Sequence, residues 1–133
     1  MIISSTNPVS AVARGAGPHS VCRARAATRA FTENLNPAPD RDLADTLVMV
    51  VSELVTNAVR HGGGRYTLQL SAHPGALSVA VTDPSPVPPR ERTPDRVDGG
   101  GGFGWHMIRA STSGLSVTPG PGPGKTVRAQ LPR

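Results

Sequence analysis

A carboxylate and a carboxamide stand four positions apart, at Glu53 and Asn57, inside a stretch that is otherwise mainly apolar. On an α-helix this spacing places both side chains on one side, about 40° apart around the axis. A carboxylate can orient or deprotonate a hydroxyl group, and the neutral amide oxygen of asparagine is a hard ligand suited to Mg²⁺. The pair therefore indicates general-base and metal-binding chemistry. Taken alone, the spacing favours a simpler alternative, a solvated helix edge with Asn57 bonded to the local backbone.

Asp83 closes a stretch in which apolar and polar residues alternate, and Pro84-Ser85-Pro86 follows it directly. The alternation predicts a strand, so this carboxylate should lie at the edge of a sheet where a loop departs. There it can accept a hydrogen bond from an exocyclic amine such as that of adenine. The alternative is an aspartate that only initiates a turn, which is the commoner role for an isolated aspartate at such a place.

Two glycine-containing motifs are candidates for phosphate binding. Residues 99–102 are all glycine and precede Phe103-Gly104 at a predicted helix start, where backbone N–H groups and the positive helix end attract anions. A flexible linker explains this run equally well. Gly124-Lys125-Thr126 imitates the end of a P-loop, but Pro119 stands where its first glycine should be and a strand pattern follows. Both facts argue against a Walker A site.

Two amphipathic helices are predicted in the first half of the chain. Aliphatic residues three and four apart predict a helix that Asp40 or Asp42 caps and that the glycines at 62–64 end. The candidate carboxylate and carboxamide lie at the border of its apolar face, so they should line a rim or cleft. An earlier helix is predicted from Ser20, as its N-cap, to about residue 34.

Strand patterns fill most of the second half. They are predicted at residues 66–71, 77–83, 115–117 and 126–131, and a turn signal at 73–75 joins the first two as a hairpin. Residues 84–102 are predicted to form a long irregular loop, followed by a short helix from Phe103 to about residue 113. This order predicts an α+β fold, a two-layer sandwich with helices on one face of a mixed, largely antiparallel sheet.

Length and composition narrow the function classes. The 133 residues suit one domain, predicted at residues 18–133, with residues 1–17 either flexible or holding a short strand. The net charge of +5, from 14 Lys and Arg against 9 Asp and Glu, suits an anionic ligand or acidic partner, although it is also common in ordinary soluble proteins. The few aromatic residues offer little surface for stacking bases, which argues against direct nucleic-acid binding.

The cysteine count and the apolar runs bear on the compartment. Cys22 is the only cysteine, which excludes a disulfide within the chain and a cysteine zinc site. The longest apolar run, residues 47–51, is far too short to span a membrane, and no signal-peptide pattern is present. We therefore expect a soluble, cytoplasmic protein with no membrane partner.

The features above, taken in chain order, resemble those of the GHKL ATPase superfamily over about residues 20–132. The order is Glu53-x-x-x-Asn57, then Asp83 at a strand end, then a glycine-rich segment, then Gly-Lys-Thr at a strand start. Residues 52–58, with His61-Gly62 and the closing strand at 124–132, are most similar to the small stand-alone anti-sigma-factor serine/threonine kinases. The resemblance implies a Bergerat-type, histidine-kinase-like ATPase fold with a lid at about residues 84–102.

The resemblance also implies roles for individual residues. Asn57 would hold Mg²⁺ bridging the phosphates of ATP, Glu53 would act as general base or orient water, and Asp83 would receive the adenine amine. Further nucleotide-binding positions are implied in the loop after Asp83, in the lid and in the last strand, at Ser85, Gly102, Gly104 and Thr126. Two positions depart from the family pattern, because Ser85 stands where the family has glycine and Phe103 stands where the kinases often have a basic residue.

Two functions follow from this resemblance. The first is an ATP-binding anti-sigma factor with serine/threonine protein kinase activity toward a STAS-type anti-anti-sigma factor, with a sigma factor as second partner and a homodimer as a possibility. The alternative is a non-catalytic nucleotide-binding module that uses the same fold to hold a partner. The catalytic half of a two-component histidine kinase is disfavoured, because 133 residues leave no space for a long phosphoacceptor helical hairpin.

Overall fold

The computed structural model describes residues 9–87, 107–120 and 122–133. Its strands are β1 (Val9–Ala16), β2 (Arg65–His73), β3 (Ala76–Asp83), β4 (Gly114–Pro119) and β5 (Lys125–Pro132). They form one sheet in the order β1-β2-β3-β5-β4, and every neighbouring pair is antiparallel. The α+β prediction is confirmed, and the strands that are described contain none of the parallel pairing that a mixed sheet would have.

The predicted hairpin of β2 and β3 forms the centre of the sheet. Leu68 lies opposite Val81 and Leu70 opposite Val79, and all four are at most 1% exposed. Apolar cross-strand pairs of this kind stabilise a sheet and give it one face to bury. Because side chains alternate along a strand, the same periodicity places Asp83, two residues after Val81, on the buried face.

The edge strand β1 pairs with β2 along its whole length. It occupies part of the segment predicted to be flexible or to hold a short strand, and residues 1–8 lie outside the described residues. Gly15 is required here for space, because a Cβ at this position would meet the ring of Tyr66. β1 thus forms one edge of the sheet, and β4, which pairs with β5, forms the other edge.

Helix α2 spans Arg41–His61 and begins as predicted. Asp40 is its N-cap, and the Asp40 carboxylate accepts a hydrogen bond of 2.8 Å from the Leu43 N–H, an arrangement that contributes about 1 kcal/mol. Gly62 ends the helix. The buried side chains follow the predicted three-to-four spacing: Leu47, Val48, Val50, Val51, Leu54, Val55 and Ala58. This helix therefore packs against the sheet with one broad apolar face.

Helix α1 spans Ser20–Glu33, and the prediction that Ser20 is its N-cap is wrong. Ser20 is the first helical residue, and its hydroxyl donates a 2.8 Å hydrogen bond to the carbonyl of Gly17 instead of accepting one from the helix. The cap position belongs to His19, whose side chain makes no capping bond. The serine still fastens the helix start to the preceding turn, but as a donor.

The two helices lie side by side on one face of the sheet, with α1 against β1 and β2 and α2 against β2 and β3. Residues 107–111 are helical and belong to the predicted helix at 103–113, of which residues 103–106 lie outside the described residues. Ile108 is fully buried in the common core. Within the described ranges, neither α1 nor α2 combines the length and apolar character needed to cross a membrane.

Candidate functional site

Glu53 and Asn57 lie on one flank of α2 and are both half-buried. Thr46, seven residues before Glu53 and thus almost in line with it on the helix, shares a pocket with Ser111. The opposite flank faces α1, where Asp45 forms an ion pair with Arg29. The candidate pair therefore faces away from α1, toward the side on which residues 107–111 lie.

The carboxyl group of Glu53 is partly removed from water. Burial raises the pKa of Glu53 above its ordinary value, and the positive charge of Arg60 opposes this shift only in part. Among the residues that the structure describes, neither Glu53 nor Asn57 has a side-chain hydrogen-bond partner. A carboxylate with raised proton affinity and an amide oxygen that accepts no hydrogen bond from the described residues are both available to a ligand.

The end of α2 packs directly against the end of β3, and glycine makes this possible. A Cβ on Gly62 would overlap the carboxyl group of Asp83, and a Cβ on Gly124 would overlap the backbone carbonyl of Asp83. Asn57 lies five residues before Gly62, which is about 7.5 Å along the helix axis. The C-terminal end of α2, the end of β3 and the start of β5 thus meet in one place.

Lys125 is the partner of Asp83 in the register of β3 and β5. Its Nζ atom lies 2.9 Å from Asp83 Oδ1 and also donates to the carbonyl of Ser85 at 3.3 Å. The Lys125 and Asp83 side chains are 7% and 4% exposed, so this is a buried ion pair. Sequence reasoning treated Lys125 only as part of a Gly-Lys-Thr motif and missed its pairing with Asp83. The signal was strand alternation, which places residue 125 on the same face as 127 and 129.

Thr126 points to the other face of the sheet. Its Oγ1 atom lies 2.9 Å from Thr82 Oγ1 and donates to the carbonyl of Gly120 at 3.1 Å. Neighbouring residues of a strand project to opposite sides, so the structure brings Lys125 to Asp83 and does not bring Thr126 there.

Ser85 completes a tight turn after Asp83. Its N–H donates to Asp83 Oδ1 at 2.9 Å, and its hydroxyl oxygen accepts from the N–H of Val87 at 3.2 Å. The turn is of the kind that aspartate commonly makes with the backbone two residues on. Gly102, Phe103 and Gly104 lie outside the described residues.

The residues that could hold a metal ion are few. In the described ranges no three side chains of His, Cys, Asp or Glu cluster as a metal site would require. A Mg²⁺ ion beside α2 would take the Asn57 amide oxygen and draw its remaining ligands from phosphate groups and water, which is the usual way in which this ion is bound with nucleotides.

Comparisons with known proteins agree with this architecture. A crystal structure of the RsbU and RsbW domains of Rv1364c from Mycobacterium tuberculosis matches with a TM-score of 0.66 and 21% sequence identity, over 96% of this chain and 33% of that one. The chain thus spans about a third of that structure, and at this identity the likeness concerns the fold. No curated protein gave a significant match to the sequence. The family described as the histidine kinase-like ATPase domain matches residues 16–131, so the chain belongs to that family, within the GHKL ATPase superfamily.

Proposed function

We propose that this chain binds ATP together with Mg²⁺ between the flank of α2 and the adjoining ends of β3 and β5. The observation that carries this proposal is the placement of Glu53 and Asn57 on a half-buried flank of α2, the helix whose C-terminal end at Gly62 packs against Asp83. Membership of a family of ATPase domains supports it. The region that would cover the phosphates, with Gly102 and Gly104, belongs to the same proposal on sequence grounds.

The residues beside α2 suit the phosphate end of a nucleotide. The Asn57 amide oxygen has no donor from the described residues and is a hard ligand for Mg²⁺. The carboxylate of Glu53 has a raised pKa, so it can accept a proton from a substrate hydroxyl or orient a water molecule. ATP would supply the phosphoryl group, and the protein's part would be positioning and charge neutralisation.

The regulatory role that we propose is that of an anti-sigma factor with serine/threonine protein kinase activity. Its substrate would be a STAS-type anti-anti-sigma protein and its second partner a sigma factor, and the chain could act as a homodimer. Support comes from the motif resemblance of residues 52–58 and 124–132 and from the fold shared with a structure that contains an RsbW domain.

A second candidate function is a nucleotide-binding interaction module without turnover. One observation favours it: the carboxylate proposed to receive the adenine amine, Asp83, is already ion-paired with Lys125. Such a module would have the same fold and would bind a partner protein without transferring phosphate. Glu53 would then have no catalytic role.

Calorimetric titration of Mg-ATP tests nucleotide binding. We expect Asn57→Ala to weaken binding by more than about tenfold, because one metal ligand is lost. Thr56→Ala is the matched control, since within the part of the chain that the structure describes the Thr56 hydroxyl bonds only to the Ser52 carbonyl of its own helix. Equal affinities for wild type and Asn57→Ala would refute the role of Asn57.

Transfer of labelled phosphate separates the two functions. Purified chain is incubated with Mg-ATP and each co-encoded STAS protein, and Glu53→Gln serves as the comparison. The kinase proposal predicts transfer by wild type and its loss in Glu53→Gln, with ATP binding retained. Binding by wild type without transfer to any of these proteins would favour the interaction module.

A further inference from the structure

Asp83, the carboxylate proposed to accept the adenine amine, forms an ion pair with Lys125. Asp83 Oδ1 accepts hydrogen bonds from Lys125 Nζ and from the Ser85 N–H, each at 2.9 Å. The other oxygen, Oδ2, lies against Gly62 so closely that a Cβ there would overlap it. The protein therefore already occupies Oδ1, and the close approach of Gly62 restricts access to Oδ2 from one side.

Lys125 is held firmly in this position. It is the first residue of β5, its side chain is 7% exposed, and it bonds to Ser85 as well as to Asp83. Gly124, just before it, packs on the Asp83 backbone without space for a side chain. Moving the ammonium group away would leave Asp83 as a buried, unpaired carboxylate, and breaking a buried pair in this way is strongly unfavourable.

Adenine and hypoxanthine make opposite demands at this place. Adenine presents an exocyclic amine, which needs a free acceptor, whereas hypoxanthine presents a carbonyl oxygen, which needs a donor. An ammonium group has three N–H donors. Lys125 uses two of them within the described residues, on Asp83 and Ser85, so the third can serve a carbonyl.

We propose that Lys125 determines the base selectivity of this site. Its ammonium group competes with the adenine amine for Asp83, so the chain binds ATP weakly and does not discriminate ATP from inosine triphosphate. The inference rests on the proposed nucleotide site and deepens it. Removing Lys125 takes away the cationic partner of Asp83, so the carboxylate can accept from the adenine amine and the site becomes selective for adenine.

The test measures dissociation constants of Mg-ATP and Mg-ITP for wild type, Lys125→Thr and a matched control. Arg128→Thr is the control, because Arg128 lies three residues further along the same strand, is exposed and carries the same charge. We expect similar affinities of wild type for the two nucleotides. Lys125→Thr should bind ATP at least about tenfold more tightly than wild type, because a charged acceptor becomes available to the adenine amine. Its affinity for ITP should not increase. Arg128→Thr should leave the ratio unchanged.

A second variant guards against loss of folding. Lys125→Gln retains a neutral donor for Asp83, and circular dichroism establishes that each variant is folded. An amide is displaced from a carboxylate more easily than an ammonium group, so Lys125→Gln should also raise the preference for ATP over ITP.

The outcomes separate this inference from the function on which it rests. If wild type already prefers ATP by about tenfold, or if neither variant at Lys125 changes the ratio, the inference is overturned while nucleotide binding stands. If wild type and all variants bind neither nucleotide, the inference falls together with the proposed function.

Discussion

The buried ion pair between Asp83 and Lys125 should be among the strongest side-chain couplings in the described part of the chain. Two unit charges 2.9 Å apart attract by about 6 kcal/mol at an effective dielectric constant of about 20. Desolvation of both groups offsets much of this attraction. Removing one partner nevertheless costs about 3–5 kcal/mol, because it leaves the other charge buried and unpaired.

A double-mutant cycle with Asp83→Asn, Lys125→Met and the double variant measures the coupling. The free energy of unfolding is obtained from urea denaturation at neutral pH. We expect each single variant to lose about 3–5 kcal/mol and the pair to show a coupling of about 2–3 kcal/mol. Asparagine keeps the shape of aspartate and an oxygen that can accept from the Ser85 N–H, so the loss would report the charge.

The chain supplies its own control in Arg29 and Asp45. These side chains are as close, at 2.8 Å, but they are 47% and 51% exposed. Exposed pairs contribute about 0–1 kcal/mol, so a cycle with Arg29→Met and Asp45→Asn should give a coupling in that range. The same small coupling in both cycles would show that burial does not strengthen the pair of Asp83 and Lys125.

Two further predictions concern Glu53 and Gly62. Because the folded protein holds the Glu53 proton more tightly than the unfolded chain does, its contribution to stability falls as pH rises from the ordinary pKa of 4.5 through the raised folded value. Glu53→Gln should therefore raise the thermal midpoint at neutral pH and have little effect below pH 4.5; an equal effect at both pH values would contradict the desolvation of Glu53. Gly62→Ala should destabilise by about 1–3 kcal/mol, because its Cβ would overlap the Asp83 carboxyl group. Gly75→Ala, where a Cβ meets nothing, should change the free energy of unfolding far less, and equal losses for the two variants would show that the contact with Asp83 is unimportant.

Local patterns predicted the local structure of this chain well. The apolar spacing of α2, its Asp40 cap and the β2–β3 hairpin depend on residues close in sequence, and each is present. Ser20 was placed wrongly because a hydroxyl can donate or accept, and the choice depends on the nearby carbonyl of Gly17. Sequence periodicity carries no information on such a choice.

The main feature missed is non-local. Lys125 and Asp83 are 42 residues apart in sequence, and they meet because β5 lies between β3 and β4 in the sheet. Chain order alone does not give that position or its register. Once β5 is known to pair with β3, alternation assigns Lys125 to the face of Asp83 and Thr126 to the face of Thr82. The Gly-Lys-Thr motif contains Lys125 and Thr126 as neighbours and therefore does not show that their side chains lie on opposite faces of the sheet.

The most direct test of the central claim is the Mg²⁺ dependence of ATP binding by the wild-type chain and by Asn57→Ala. Calorimetry is performed in excess Mg²⁺ and again in excess chelator. A site in which Asn57 holds the metal predicts that Mg²⁺ strengthens ATP binding to wild type and that Asn57→Ala loses this dependence. Binding that is equal with and without Mg²⁺, or a Mg²⁺ dependence that Asn57→Ala retains in full, would contradict the account of this site.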